Sequence, residues 1–368
     1  MAPDVPAPDP GTSTAHAVSP DSGEHWSAEG AWPVAPGVHR IPLPLPMDGL
    51  KAVNVYAVED GDGLTLVDGG WAIPVARERL ERGLAAMGAG LGDVRRFLVT
   101  HVHRDHFTLA TVLGRELGVD VALGLPEKPA IDLLNDPERF AQNPFAALLR
   151  AAGAPDVAEQ WAANAPEPDP EVWRRPTSWI DGDRSIALDG RVLDAVHTPG
   201  HTAGHYVFAD RAEGLLFGGD HVLPTITPSI GFVLPPPLDP LGDFLGSLGR
   251  VLELPNLRLL PAHGPVAASS HDRARALLAH HDERLRQCLD LVPAGGSGSV
   301  SGAVSGSVSA ADVARGLGWT RHLRAYDELD PFNRGMAVME TRAHLDLLVS
   351  RGDLVTEVVS GVALYRSA

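Results

Sequence analysis

The sequence predicts an α/β layered protein with a small second domain at its C-terminal end. Three observations carry that expectation. Short, β-branched runs bounded by Gly and Asp recur along residues 31–290. Stretches with helical spacing of apolar residues alternate with them, the mark of a layered α/β fold. A Gly/Ser-rich run, "PAGGSGSVSGAVSGSVS", then separates this region from further helical and hairpin patterns.

In chain order, "VHRIPLPLP", "VNVYAVED" and "GLTLVDGG" read as successive strands, and "IPVARERLERGLAAMGAGL" as a helix with a Gly-rich stop. "VRRFLVTHVH" is a strand running into a histidine-rich motif, followed by the helix-like "TLATVLGRELG" and the strand "DVALG". Residues 126–176 interrupt the alternation with helical patches such as "PFAALLRAAG" and "VAEQWAANA". They form either a helical insertion that covers a site or a surface excursion without a role. The alternation resumes in "SIALDGRVLDAVHTPGH", "HYVFADRAEGLLFGGD" and "LRLLPAHG", and "SSHDRARALLAHHDERLRQCLDLV" closes the region as a long amphipathic helix. Residues 291–308 are the expected linker, and residues 309–368 a small unit of helices and a hairpin.

Composition narrows the function. A net charge of −17 repels phosphate backbones, so nucleic-acid binding is disfavoured though left open. The single cysteine, Cys288, forms no internal disulfide and sits in a helical pattern beside Leu285 and Leu289, where packing is its expected role. No stretch has the length of a membrane helix, so no membrane partner is expected. The opening residues lack the charged start and apolar centre of a secretory signal; with their Pro, Asp, Ser and Gly content, residues 1–30 are expected to be a disordered acidic tail. A cytoplasmic setting fits.

The chemistry lies in four short motifs. "HVHRDH" places His101, His103, Asp105 and His106 within six positions after an apolar strand. At a strand end, residues i and i+2 share a side, so His101 and His103 can address one cation. Asp105 and His106, where the chain turns into a helix, can face a second point. Imidazole nitrogen and carboxylate oxygen suit zinc. "HTPGHTAGH" spaces His197, His201 and His205 four apart, yet Pro199 and Gly200 forbid a helix there. The turn presents His201 as the candidate ligand, while His197 and His205 are expected behind it as supporting, hydrogen-bonding groups. "LLFGGDH" and "LLPAHGP" place Asp220 and His263 directly after apolar strands, and Asp220 can bridge the two sets. His221 is counted with the supporting groups His197 and His205, either lining the pocket or as a solvated neighbour.

"HVHRDH", "TPGHTAGH", "GGD" and "PAHG", in that order over residues 31–290, resemble the metallo-β-lactamase-fold hydrolase superfamily. The resemblance implies an αββα four-layer sandwich with two divalent metal ions at one sheet edge, zinc first and iron or manganese as alternatives. It implies His101, His103 and His201 on one ion, Asp105, His106 and His263 on the other, Asp220 shared, and Asp68 in "LTLVDGG" supporting the ligands from behind. Residues 309–368 look like the winged-helix-type domain of one branch of that superfamily, whose members include proposed thioesterases, other hydrolases and endoribonucleases.

A metal-bridging hydroxide, oriented by Asp105 as the catalytic residue, is then the expected nucleophile. Ile226, Ile230, Phe232 and Leu234 are candidate pocket residues, or core, for a small-molecule ester, thioester or lactone substrate. A phosphodiesterase or endoribonuclease is the alternative, an iron-dependent oxygenase a further one, and a non-enzymatic sensor the last. Against RNA, Arg321 and Arg324 are followed by Asp327, Glu328 and Asp330, so no basic stripe forms. The C-terminal unit is expected to pack on the catalytic one, shape its pocket or mediate a homodimer.

Overall fold

The computed structural model describes residues 25–46, 49–136, 138, 141–164, 169–293, 306–320 and 323–368. Two sheets form its centre. The first runs in sequence order through β1 (Trp32–Ala35), β2 (Val38–Pro44), β3 (Ala52–Asp60), β4 (Gly63–Val67), β5 (Val94–Leu98), β6 (Asp120–Gly124) and β7 (Ser178–Ile180). Its first four strands pair antiparallel and its last four parallel. The second has the order β12-β11-β10-β9-β8, from β8 (Arg184–Leu188), β9 (Arg191–His197), β10 (Tyr206–Asp210), β11 (Leu215–Gly219) and β12 (Arg258–Pro261).

The alternation of side chains along each strand decides how these sheets stack. On β3, Val53, Val55 and Ala57 join one core with the helices α1 (Pro74–Ala86) and α2 (Arg104–Leu117), while Tyr56 and Val58 join the core between the sheets. On β10, Tyr206 and Phe208 face the first sheet, while Val207 and Ala209 face outward. Three apolar layers therefore separate four layers of structure, the αββα sandwich.

Helices α3 (Lys128–Leu134), α4 (Pro144–Ala151) and α5 (Pro155–Asn164) belong to the expected insertion at 126–176. The outer face of the second sheet takes α6 (Pro240–Glu253) and α7 (Ser270–Leu291). Local chemistry sets their starts: Asp239 accepts from Gly242 N at 2.8 Å with Pro240 in the first turn, and Ser269 accepts from Asp272 N at 3.0 Å. Cys288 lies fully buried on α7, in the same apolar core as Leu285.

The C-terminal unit contains β13 (Val308–Ser309), α8 (Ala310–Gly316), α9 (Pro331–Arg351), β14 (Leu354–Val359) and β15 (Val362–Ser367), with the three strands antiparallel in the order β13-β15-β14. It shares one apolar core with α6 and α7: Phe244, Leu248 and Leu277 pack in the same cluster as Trp319, Val338 and Leu345. At the α7–α9 contact, His281 Nδ1 lies 3.1 Å from His344 Nε2, both fully buried. The insertion reaches the same unit, with Ala311 N donating to Ala152 O at 3.0 Å.

Two strands of the first sheet escape the sequence reading, as does the two-residue β13 at the end of the Gly/Ser run. β1 and β7 are four and three residues long and sit at opposite edges of the first sheet, too short to show periodicity. The tail expected over residues 1–30 lies mostly outside the described residues, as does most of the linker over 291–308. Residues 25–30, however, are docked on the first layer: the Arg40 guanidinium donates to Trp26 O, and Glu29 pairs with Arg79 and Arg82 of α1. Among the described residues no helix is long and apolar enough to cross a membrane.

Gly335, inside α9, tests the docking of the C-terminal unit. A Cβ there would lie 2.4 Å from the Trp161 ring of α5. In a free helix Gly→Ala stabilises by about 1 kcal/mol. Here the indole is fixed by its Nε1 donating to Pro331 O at 2.8 Å, so Gly335→Ala should instead destabilise, by about 1–3 kcal/mol through overpacking. Urea unfolding of the two proteins reads the sign directly.

Candidate metal centre

The site forms where strands end. Asp68 follows β4, Thr100 and His101 follow β5, Asp220 follows β11 and His263 follows β12, so both sheets deliver polar side chains to one end of the sandwich. His103 is the N-cap of α2, at φ −61 and ψ 150, and makes no capping bond; its Nδ1 turns instead toward His101 Nε2 and His201 Nε2, at 3.0 Å from each. Asp105 and His106 occupy the first turn of α2, where the helix dipole favours a carboxylate.

Two groups of donor atoms result. His101, His103, His201 and Asp220 each offer one atom, all within 4.8 Å of one another, and Asp105, His106 and His263 do the same. Asp220 serves both: Oδ2 is 3.9 Å from His101 Nε2 and 3.5 Å from His201 Nε2, while Oδ1 is 3.7 Å from His106 Nε2 and 3.3 Å from His263 Nε2. Asp105 Oδ2 completes the second group at 3.4 Å from His263 Nε2 and 3.7 Å from His106 Nε2. His106 Nε2, His263 Nε2 and Asp220 Oδ1 are buried without a hydrogen-bond partner and converge on one point. Orphaned polar atoms of this kind cost free energy unless something fills the space between them, and nitrogen and oxygen donors at this spacing suit a divalent cation.

The opposite ring nitrogens are anchored. His106 Nδ1 meets Asp68 Oδ2 at 2.9 Å, His101 Nδ1 meets Thr100 Oγ1 at 3.0 Å, His201 Nδ1 meets Ser229 O at 2.8 Å and His263 Nδ1 meets Ala52 O at 2.8 Å. Each anchor fixes a ring's orientation and tautomer, leaving the other nitrogen for the centre. Asp68, at φ 62, also accepts from Thr100 N and Oγ1 at 2.8 and 2.9 Å. Thr100 thus links three site residues, and sequence reasoning misses it: a threonine ending a strand carries no signal of its own. Asn54 escapes it too; its Nδ2 donates to Pro261 O and Gly264 O, at 2.9 and 3.0 Å, on either side of His263.

The remaining histidines divide. His205 is fully buried: its Nδ1 meets Thr198 Oγ1 at 2.9 Å and its Nε2 accepts from Asp220 N at 3.1 Å, so it holds the backbone of the bridging residue. The "GG" before Asp220 has its reason here, since a Cβ on Gly219 would lie 2.5 Å from His205 Nε2. His197 tilts over Tyr206 and meets Ala203 O through Nε2 at 2.9 Å, bracing the turn rather than a donor residue. His221 departs from both roles read for it. It neither lines the cleft nor meets solvent: it is fully buried, edge-on to Phe244 at 4.8 Å and 5.8 Å from the His205 ring. The apolar face of α6 covers it, which the sequence around residue 221 does not reveal. Of the apolar candidates, Ile226, Phe232 and Leu234 line the cleft outside the donor atoms, whereas Ile230 is buried in the core.

The electrostatics divide the two groups. Burial pushes His103 down to about 3 and holds His101 and His201 below the usual imidazole range, so these rings are neutral. Burial works the same way on His106 and His263, but nearby carboxylates outweigh it. Asp68, Asp105 and Asp220 hold His106 well above its usual range, and Asp220 and Asp105 raise His263 to about 10. Asp220, which burial pushes up, is pulled well below the carboxylate range by His263 and His106.

A cation entering the second group must displace these protons, because only the neutral ring donates to a metal. Affinity there should therefore rise with pH. Titrating metal-free protein with Zn2+ at pH 7, in two buffers of different ionisation enthalpy, should show about one to two protons released at this position. A pH-independent affinity would contradict it.

The sequence model of the Metallo-beta-lactamase superfamily matches residues 48–263. The lactamase-like protein aptB of Emericella nidulans is 28% identical over 244 residues, which are 65% of this chain and 59% of that protein, so the match leaves two fifths of that relative uncovered. The probable metallo-hydrolase YqjP of Bacillus subtilis is 29% identical over 239 residues, 62% of this chain and 72% of that one. A beta-lactamase domain protein from Burkholderia ambifaria, known from its crystal structure, superposes at a TM-score of 0.77 with 27% identity, covering 95% of this chain and 98% of that one. By the family match and the shared fold, the chain belongs to the metallo-beta-lactamase superfamily and is an enzyme of it.

Proposed function

We propose that this enzyme is a dinuclear metal-dependent hydrolase of a small-molecule ester, thioester or lactone. One observation carries the reading: two sets of nitrogen and oxygen donors, buried except at His103 and Asp105 and sharing Asp220, open into a cleft whose walls include Ile226, Phe232 and Leu234. His101, His103 and His201 would hold one ion, Asp105, His106 and His263 the other, and Asp220 both, with zinc the natural occupant of such a donor set. The pair supplies Lewis acidity and a water acidified from about 15.7 toward 7.

The protein's own residues do the rest. Asp105 is the partly exposed carboxylate of its group and borders the cleft, so besides helping to hold an ion it would be placed to accept a hydrogen bond from water there and fix its direction. Asp68, Thr100 and the carbonyls of Ser229 and Ala52 keep the imidazoles aimed while charge develops. The apolar wall excludes water from the rest of the substrate. The C-terminal unit, which we read as winged-helix-like, completes that wall with Phe332 and Met336 of α9.

His103→Ala should lower bound metal and hydrolysis together, with kcat/KM falling at least about 100-fold. Full activity in metal-depleted His103→Ala would sink the mechanism. Asp68→Ala leaves every donor in place but frees the His106 ring, and a loss of about 10–100-fold in metal affinity or activity is expected. Metal content by mass spectrometry, paired with rates on ester, thioester, lactone and phosphodiester substrates, tests the substrate class. Preferred cleavage of the phosphodiester would overturn it.

A further inference from the structure

Four aromatic rings meet on the wall of the catalytic cleft, and they come from three separate parts of the chain. Phe145 and Trp161 belong to α4 and α5 of the insertion, Phe232 to the loop after β11, and Phe332 to the first turn of α9. Phe145 stacks on Phe232 with centroids 4.4 Å apart, Trp161 stacks on Phe332 at 5.2 Å, and Trp161 meets Phe232 edge-on at 5.4 Å.

Packing alone does not account for this group. A cluster whose task is to staple domains together would be buried, yet Phe332 is 53% exposed and all four rings border the cavity that His103, Asp105, His201, Asp220 and His263 also border. The wall is also held in register with the donor atoms. The segment carrying Phe232 gives its Ser229 carbonyl to His201 Nδ1 at 2.8 Å, and Arg273 of α7 donates to the carbonyls of Leu223 and Ile226 in the same segment. Gly231 seats that segment against α9, where a Cβ would lie 2.9 Å from Met339 O. A ligand contact at Phe232 therefore sits on the same rigid loop that aims a metal-facing imidazole.

We propose that Phe145, Trp161, Phe232 and Phe332 form the specificity subsite, which takes a flat, conjugated apolar group of the substrate such as an aryl acyl moiety. Packed against one another, the rings make a stiff wall, and the faces and edges they leave uncovered, chiefly on the half-exposed Phe332, reward a planar partner more than a flexible chain of equal area. The subsite is completed by α9, so the C-terminal unit is a component of substrate recognition. This inference rests on the hydrolase reading, and its test is binding rather than turnover.

The zinc-loaded full-length protein is titrated with 2-naphthoate, hexanoate and acetate, which share the carboxylate and differ in the group offered to the wall. Naphthoate should bind at least about ten-fold tighter than acetate, and Phe232→Ala and Phe332→Ala should each weaken naphthoate about five-fold. Phe332→Leu keeps the bulk and guards against a misfolded alanine variant; it should shift preference from naphthoate toward hexanoate. Wild-type protein that binds naphthoate no tighter than acetate, or folded variants that bind it as wild type does, would overturn the proposal. If no ester, thioester or lactone is cleaved but this binding pattern holds, the hydrolase reading fails and the subsite stands. Cleavage without any preference for a naphthoyl over an acetyl ester removes the subsite alone.

Discussion

The carboxylate of Asp220 stands at the seam between the two sheets, and the rest of the site is arranged around its burial. An ionised carboxylate removed from water is costly unless charge and hydrogen bonds replace its hydration. Here His201 and His101 approach Oδ2, while His263 and His106 approach Oδ1. The backbone is pinned as well, by His205 accepting from Asp220 N and by Gly219, which lets the strand end lie against that ring. Such a group holds its place only because β11 of one sheet and β5 and α2 of the other are fixed relative to each other by the inter-sheet core of Tyr56, Phe208, Phe217 and Leu260. The packing of two sheets and the placing of donor atoms are thus one problem with one solution.

A second dependence runs outward from the same seam. His201 is aimed by Ser229, Ser229 lies in the segment held by Arg273 of α7, and α7 packs on α9 through His281 and His344. The C-terminal unit is therefore coupled mechanically to a first group of donors some distance away in the chain. The same unit shares a continuous apolar core with α6 and α7. The long helix of this unit turns one side to buried contacts: Val338, Leu345 and Leu348 of α9 all lie in the shared core.

Much of this architecture is legible in the sequence, for specific reasons. β3, β10 and β11 are apolar, β-branched or aromatic runs ending in turn residues, so their positions follow from local chemistry. The four motifs are local in sequence, and their residues gather because each follows a strand that ends on the same side of the sandwich. What stays hidden is what depends on partners distant in sequence. Thr100 matters through Asp68 and His106, Asn54 through Pro261 and Gly264, and the burial of His221 through Phe244, none of which its own neighbourhood announces. The same holds for Ile226 and Ile230, four residues apart in one loop. Periodicity offers no way to tell that the first borders the cleft and the second the core.

The division of labour that emerges has a physical basis. The donor residues sit just past the ends of β5, β9, β11 and β12 or in the first turn of α2, where the two sheets and their flanking cores fix the backbone. Groups that border only the substrate sit on α4, α5, the loop after β11 and the first turn of α9, where a displaced ring costs selectivity instead of the metal geometry. Substitutions on the second set can therefore alter what enters the cleft without moving Asp220, and the shortest route that joins the two sets runs from Phe232 through Ser229 to His201. That route makes Phe232 the member of the aromatic group whose loss should be felt in chemistry as well as in binding. Phe332, carried by α9 and stacked on Trp161, should affect binding alone.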